Sequence, residues 1–287
     1  MIENEVLVSV IMPVYNGMPL IKQSIDSLLR QTYNNWECII INDGSTDDTK
    51  VYIESLSDKR FRVYSFEKNL GRPYARQKGL DMATGKYLAM LDADDIYHPH
   101  KLEIQVNLLE NNPDVSLVSS GMCLYGTTTD VIRILGQGKG VKEKYKGNSA
   151  FPVCHASSML RNSLAKCYKY DTSLDTGEDI DFLKKYLKGK FYIKQQEVLY
   201  YYSMFDSVSK NKMLHNTLTL MKHALKEQNV FYLLKLFLKL IVQCIAFPFL
   251  NQQAIISKKG KVPNINEVAE FRKYCFSYIG SVNINNK

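Results

Sequence analysis

The chain has 287 residues, 45% of them hydrophobic and 23% charged, with a formal net charge of +8. This is the composition of an ordinary globular protein with apolar material for one large or two modest domains, which excludes a fibrous or low-complexity chain. Six cysteines (Cys38, Cys123, Cys154, Cys167, Cys244 and Cys275) stand without a C-x-x-C pair, which argues against a structural zinc site or a disulfide framework and for a reducing cytosol.

The charge is unevenly placed. Residues 1–204 hold 25 Lys+Arg and 25 Asp+Glu, whereas residues 205–287 hold 12 and 4. A basic C-terminal part on a neutral body points to an anionic partner, a membrane surface or nucleic acid. The N-terminus carries Glu3 and Glu5 and no basic segment before its first apolar run, so it reads as a strand and not as a signal peptide.

In chain order, VSVIMPV (8–14) is a continuous apolar run followed by a helical pattern over about 18–31. WECIIIND (36–43) is a second such run, and STDDTKVYIESL opens a helix with capping residues. RFRVYSF (60–66) alternates like a strand, residues 69–85 are helical and close on a glycine, and KYLAMLDAD (86–94) is a fourth strand. Strand–helix alternation of this kind predicts a parallel sheet with helices on its faces, and ligands at the carboxyl ends of its strands. Tyr15–Asn16, Asp43 and Asp92–Asp95 all fall at such ends.

Further on, residues 114–126 read as a strand, and 127–149, with glycines and a basic cluster from Lys139 to Lys146, as a loop. Residues 154–167 read as a short strand leading into a helix, 177–189 as an amphipathic helix with an acidic start, and 191–203 as a strand. Residues 215–228 are helical in pattern. FYLLKLFLKLIVQCIAFPFL (231–250) is strongly apolar, but Lys235, Lys239, Gln243 and Pro248 interrupt it. That pattern fits a helix lying in a membrane interface, with SKKGK (257–261) adding positive charge, better than a spanning helix; a helix packed on the body is the bland alternative. The division is therefore residues 1–204 as one domain and 205–287 as a basic helical extension.

Asp92, Asp94 and Asp95 crowd three carboxylates into four residues. Like charges so close repel unless a cation lies among them. Mg²⁺ or Mn²⁺ is held by one or two protein carboxylates with phosphates and waters completing the shell, so a phosphorylated ligand is expected with it. The plain alternative is an acidic turn before a helix. His98 and His100 follow as H-x-H and are expected on the surface, while Asp95 is expected to cap the next helix.

Five segments in order, VSVIMPVYNG, IINDGSTDDT, NLGRPYARQKGL, LDADDIYHPHKLE and GEDIDFLKK, resemble the family-2 glycosyltransferases of the GT-A fold, over about residues 7–203. The resemblance implies an α/β fold with a mixed, Rossmann-like sheet flanked by helices, followed here by a C-terminal helical extension. It also implies donor-binding roles for residues of the first four segments. Pro13 and Tyr15 would lie at the nucleotide, Tyr15 against the base; Asp43 would meet the base edge, Arg76 would lie near the nucleotide, and Asp92 at the ribose. Asp94 would hold the metal. Asp179 would be the catalytic base, supported by Glu178, with Asp181 on the surface. His155 is a further donor-pocket candidate, against a buried, satisfied imidazole.

The implied reaction is an inverting transfer of a hexose or N-acetylhexosamine from a UDP-sugar, with Mn²⁺ or Mg²⁺. The implied acceptor is a glycan, lipid-linked if the basic extension reaches a membrane, in bacterial surface polysaccharide synthesis. The enzyme would then be cytoplasmic and peripheral on the inner face of the membrane. A non-catalytic nucleotide-sugar or glycan binder is the alternative; Asp94 and Asp179 stand against it. No G-x-G-x-x-G or P-loop is present, and the basic extension lacks a stacking platform for nucleic acid.

Overall fold

A computed structural model describes residues 6–126, 131–147, 151–174, 176–204, 230–246 and 260–283, with single positions between 214 and 225. β1 (Val8–Val14) and β2 (Trp36–Asn42) are buried along their whole length, as unbroken apolar runs require of central strands in a parallel sheet. β3 (Phe61–Ser65) alternates half-buried and exposed because it is the edge. β4 (Tyr87–Met90) completes a parallel block in the order β3–β2–β1–β4, with Val8 in register with Trp36 on one side and Tyr87 on the other. The helices between these strands are α1 (Ile21–Leu29), α2 (Thr49–Glu54) and α3 (Arg72–Met82).

Beyond β4 the sheet becomes mixed. β5 (Ile96–Tyr97) and α4 (Lys101–Asn111) lead to the long β6 (Val115–Tyr125). β7 (Val131–Leu135) and β8 (Lys142–Lys144) precede β9 (Ser158–Arg161), α5 (Asn162–Ala165), α6 (Glu178–Leu187) and β10 (Phe191–Ser203). The order continues β4–β9–β6–β10–β5, with β9 antiparallel to both its neighbours and β10 parallel to β6. The segment 127–149, expected to be a loop, thus carries two strands. β7 pairs antiparallel with β6, and β8 pairs antiparallel with β10. Lys142–Glu143–Lys144 is exposed, so its strand is made by backbone pairing and leaves no apolar pattern to read.

The pleat sorts side chains onto two faces. Val8, Val10, Met12 and Val14 pack with Ile21, Ile25 and Leu28 of α1 and Leu102, Val106 and Leu109 of α4. Ile11, Ile39 and Ile41 face the other way, among Ala75 and Leu80 of α3 and Phe182, Leu183 and Tyr186 of α6. A side chain at Gly79 would collide with Ile11, so the glycine sets how closely α3 lies on β1.

Beyond the sheet the described residues include the helices α7 (Val230–Ala246) and α8 (Ile265–Asn283). α8 lays Phe271 and Cys275 on Cys123 and Tyr125 of β6 and Tyr201 of β10, forming a third cluster. The helix expected over 215–228 lies largely outside the described residues, as do 247–250 and 257–259 of the expected apolar and lysine stretches. Among the described residues no helix is long and apolar enough to cross a membrane.

Candidate active site

The ends of β1 and β2 are stitched together by their loops. Asn16, just past β1, adopts a left-handed conformation with φ 49°. Its Oδ1 accepts from the Thr46 N–H at 2.8 Å, and its own N–H donates to Ser45 Oγ at 3.0 Å. The Gly17 N–H donates to Thr49 Oγ1 at 2.8 Å. Tyr15 rides on this fixed turn with its side chain 48% exposed, an aromatic surface available to a flat ligand. Pro13 is buried within β1, in register with Ile41, and offers little surface of its own.

Asp43 directly follows β2 and is buried. Its Oδ1 accepts from the Leu70 N–H at 2.8 Å and its Oδ2 from the Gly71 N–H at 2.9 Å. It therefore fastens the lead-in to α3, a role that the N-D-G-S spacing does not reveal. Gly44 must follow it, because φ is +70° there and a side chain would meet the backbone of Lys68 and Asn69.

The acidic segment after β4 gives its three carboxylates different surroundings. Asp92 accepts from Arg76 Nη2 at 3.2 Å. Burial pushes the Asp92 pKa up, but the Arg76 and Arg72 charges outweigh it and hold the group below its ordinary value. Asp94 is half-buried, and its carbonyl accepts from Gln23 Nε2 at 3.1 Å and the Tyr125 hydroxyl at 3.4 Å. Asp95 is fully buried. Its carboxylate accepts from the Tyr200 hydroxyl at 2.6 Å and from the Ser203 N–H at 2.7 Å. Burial, followed by the charges of Asp94 and Asp92, raises its pKa well above the usual carboxylate range.

Asp95 is thus no helix cap. α4 begins at Lys101 behind His100, and Asp95 instead fastens β10 to the acidic segment. His98 departs from expectation too: it is 5% exposed, its Nδ1 accepts from the His100 N–H, and its Nε2 lies 3.2 Å from Glu270 of α8. The side-chain partners of Asp95 and the Glu270 partner of His98 lie more than a hundred positions away, so no local pattern marks them. His100 is exposed, as expected.

Arg76 joins the acidic segment to α6. It is 3% exposed and donates through Nη1 to Glu178 Oε1 at 2.5 Å. Burial opposes its charge, yet Asp92 and Glu178 outweigh burial and raise its pKa. Glu178 is itself buried; burial raises its pKa, against Arg76, which lowers it. The next residue, Asp179, is half-buried at the helix start, where its Oδ1 accepts from the Ile180 N–H at 2.8 Å. Gly177, with φ +80°, makes the left-handed turn that starts this helix.

His155 is 3% exposed, with Nε2 2.8 Å from the Tyr170 hydroxyl and its ring edge-on to Phe182. Burial and the Arg76 charge lower its pKa to about 4, so the imidazole is neutral. The ring is buried, but its Nδ1 has no hydrogen-bond partner among the described residues, so it is not a fully satisfied imidazole. Asp181 pairs at the surface with Lys185 at 2.6 Å. Sequence reasoning missed Arg72, Gln23, Tyr125 and Tyr200; only Arg72 stands beside a motif residue that could have signalled it.

The carboxylates of this segment are hard oxygen donors suited to Mg²⁺ or Mn²⁺. Asp92 is engaged with Arg76, and the backbone of Asp94 is fixed from two sides. Among the described residues no group of three or more His, Cys, Asp or Glu side chains could hold a metal ion. A cation here would therefore be completed by oxygens of a bound ligand, which is the fit a diphosphate provides.

Comparison with known proteins agrees with this geometry. The model of the family described as glycosyl transferase family 2 matches residues 9–168. An uncharacterized glycosyltransferase of Rickettsia typhi is 33% identical over 217 residues, covering 73% of this chain and 67% of the relative. One of Rickettsia prowazekii is 34% identical, covering 67% of this chain and 62% of its own length. The UDP-Glc:alpha-D-GlcNAc-diphosphoundecaprenol beta-1,3-glucosyltransferase WfgD of Escherichia coli is 40% identical over 109 residues, 38% of this chain and 43% of WfgD. Among solved structures, S. aureus TarS with UDP-GlcNAc superposes with a TM-score of 0.60 at 19% identity, covering 96% of this chain and 81% of that one. The mannosyltransferase PcManGT from Pyrobaculum calidifontis, with GDP-Man and Mn²⁺, gives a TM-score of 0.60 at 19% identity over 99% and 88% of the two chains. With the GT-A fold in common with these structures and the family model matching most of the sheet, the chain belongs to glycosyltransferase family 2.

Proposed function

We propose that the protein transfers a hexose or N-acetylhexosamine from a UDP-sugar to a hydroxyl of a lipid-linked glycan, with inversion at the anomeric carbon. One observation carries the reading. Asp92, Arg76 and Glu178 form a buried chain that ties the end of β4 to the first turn of α6, where Asp179 stands half-buried. A donor-side carboxylate and a candidate base are thereby held in one rigid unit, as a reaction between two bound substrates requires. The relatives support the choice of substrates: WfgD is named for UDP-Glc and a diphosphoundecaprenol-linked acceptor, and TarS is seen with UDP-GlcNAc.

In this reading Tyr15 stacks on the base, Asp43 meets its edge and Asp92 takes the ribose hydroxyls. Asp94 holds the divalent cation, which when bound supplies positive charge at the diphosphate leaving group. Asp179 takes the proton of the acceptor hydroxyl as its oxygen bonds to the anomeric carbon and the bond to UDP breaks. A single displacement of this kind turns an α-linked donor into a β-linked product. The lipid carrier of the acceptor sets the reaction at a membrane, where a cytoplasmic enzyme works from the inner face in surface polysaccharide synthesis.

The test is UDP release from a panel of UDP-sugars in the presence of a short-chain lipid-diphosphate GlcNAc acceptor. Transfer that disappears in Asp179→Asn, with UDP binding kept, is the expected result. Turnover unchanged by that substitution removes Asp179 as the base. UDP binding with no transfer to any acceptor favours the non-catalytic binder.

A further inference from the structure

α7 turns its apolar side outward. Within Val230–Ala246, Leu236 and Gln243 are buried, and Gln243 Oε1 accepts from the Thr217 hydroxyl at 2.8 Å. At 100° per residue these two positions lie on one side of the helix. Phe231, Leu234, Phe237, Leu238, Ile241 and Val242 cover the opposite side and are exposed, Phe231 to 82% and Leu238 to 64%. Lys235 and Lys239, also exposed, border this face along one margin. α8 does the reverse and buries Phe271 and Cys275 against the sheet.

We infer that the outward face of α7 docks on an anionic lipid bilayer, with its apolar side chains among the acyl chains and Lys235 and Lys239 at the headgroups. A contiguous exposed apolar face of this kind marks an interaction surface. The two-sidedness of the helix settles the orientation, because Leu236 and Gln243 pack on the protein and Lys235 and Lys239 line one margin, so the apolar surface does not run all round the helix. The helix therefore lies along the interface. Charge selects the partner. Residues 205–287 carry 12 Lys+Arg against 4 Asp+Glu, an excess that attracts anionic headgroups and repels a second copy of the same part. The inference does not rest on the identity of the donor or acceptor.

The test floats the full chain with vesicles of phosphatidylcholine alone or mixed with phosphatidylglycerol. Binding to the anionic vesicles is expected, lost in the triple variant Phe231→Ser, Phe237→Ser, Leu238→Ser, and weakened about 25-fold in Lys235→Gln, Lys239→Gln, at about fivefold per charge. Unchanged circular dichroism melting shows that both variants fold. Because the sole tryptophan, Trp36, is 2% exposed, a Leu238→Trp variant reports insertion directly, through quenching by brominated lipid. Failure to float, equal binding to neutral vesicles, or no quenching overturns the inference. So does self-association in light scattering that the triple variant abolishes while vesicles stay unbound. Sugar transfer to a soluble acceptor is read separately, so loss of docking and loss of the transferase reading are told apart.

Discussion

Arg76 and Glu178 meet in a buried ion pair at 2.5 Å, each side chain 3% exposed, that locks α3 to the start of α6. Removing one partner leaves the other charge buried and unpaired. Arg76→Ala is therefore expected to cost about 3–5 kcal/mol in urea unfolding. Arg76→Met combined with Glu178→Leu should recover part of that loss, since Glu178 then leaves no charge behind while Asp92 still lacks its partner. A double variant as unstable as the single one would show that packing, and not the charge pair, holds the two helices together.

Asp95 separates shape from charge. In Asp95→Asn the amide oxygen keeps the bond from the Ser203 N–H, while the amide nitrogen faces the Tyr200 hydroxyl, which loses its acceptor. Stability should fall by about 1 kcal/mol. Asp95→Ala strands two buried donors and should cost about 2–4 kcal/mol. Thermal melting of the two variants side by side decides the matter.

Glu37 should govern part of the acid limb. Burial pushes its pKa up, but hydrogen bonds from Ser9, Thr84 and Arg62 outweigh that and hold it at about 2, against 4.5 for a free side chain. A depressed carboxyl stabilises fully above its unfolded value and loses that contribution as pH falls through the folded one. Urea midpoints should therefore drop between pH 4.5 and about 2 in the native chain, and less steeply in Glu37→Gln.

Asp94→Asn tests the cation. Calorimetry of UDP with and without Mn²⁺ should show enhancement by the metal in the native chain and none in the variant. Equal enhancement in both would place the cation elsewhere.

Phe271 anchors α8 on Tyr125 and Tyr201, with ring centroids 5.2 and 5.6 Å away. Phe271→Ala removes a fully buried ring, a change worth about 3–5 kcal/mol. Trypsin should then cut at Arg272 and Lys273 long before it attacks the sheet. Mass spectrometry of the digest reads this out, and unchanged cleavage rates would mean that α8 is held mainly by its other contacts.

Where the sequence was legible, one physical signal sufficed. The run at 8–14 coincides with β1 and the run at 36–43 matches β2 to within one residue, because strands buried on both faces must be apolar almost throughout. The first-turn acids of α6 and the strand-end polar residues were likewise visible locally. What stayed hidden was set at long range. Asp95 depends on Tyr200, 105 positions on, and His98 on Glu270, 172 positions on. Asp43 bonds backbone N–H groups, which no side-chain pattern encodes. β8 exists because β10 offers it hydrogen bonds, and its own residues announce nothing.

The place of Asp95 has a mechanical consequence. Among the described residues the block β3–β2–β1–β4 meets the rest of the sheet through one pairing, β4 with β9, in register at Tyr87–Arg161, Leu88–Leu160 and Ala89–Met159. The bonds from Tyr200 and Ser203 to Asp95 cross from β10 back to the segment that leaves β4. They act as a clasp over that seam. Under load applied across the sheet, the clasp and the seam share the force, and an Asp95→Ala chain should part at a lower one.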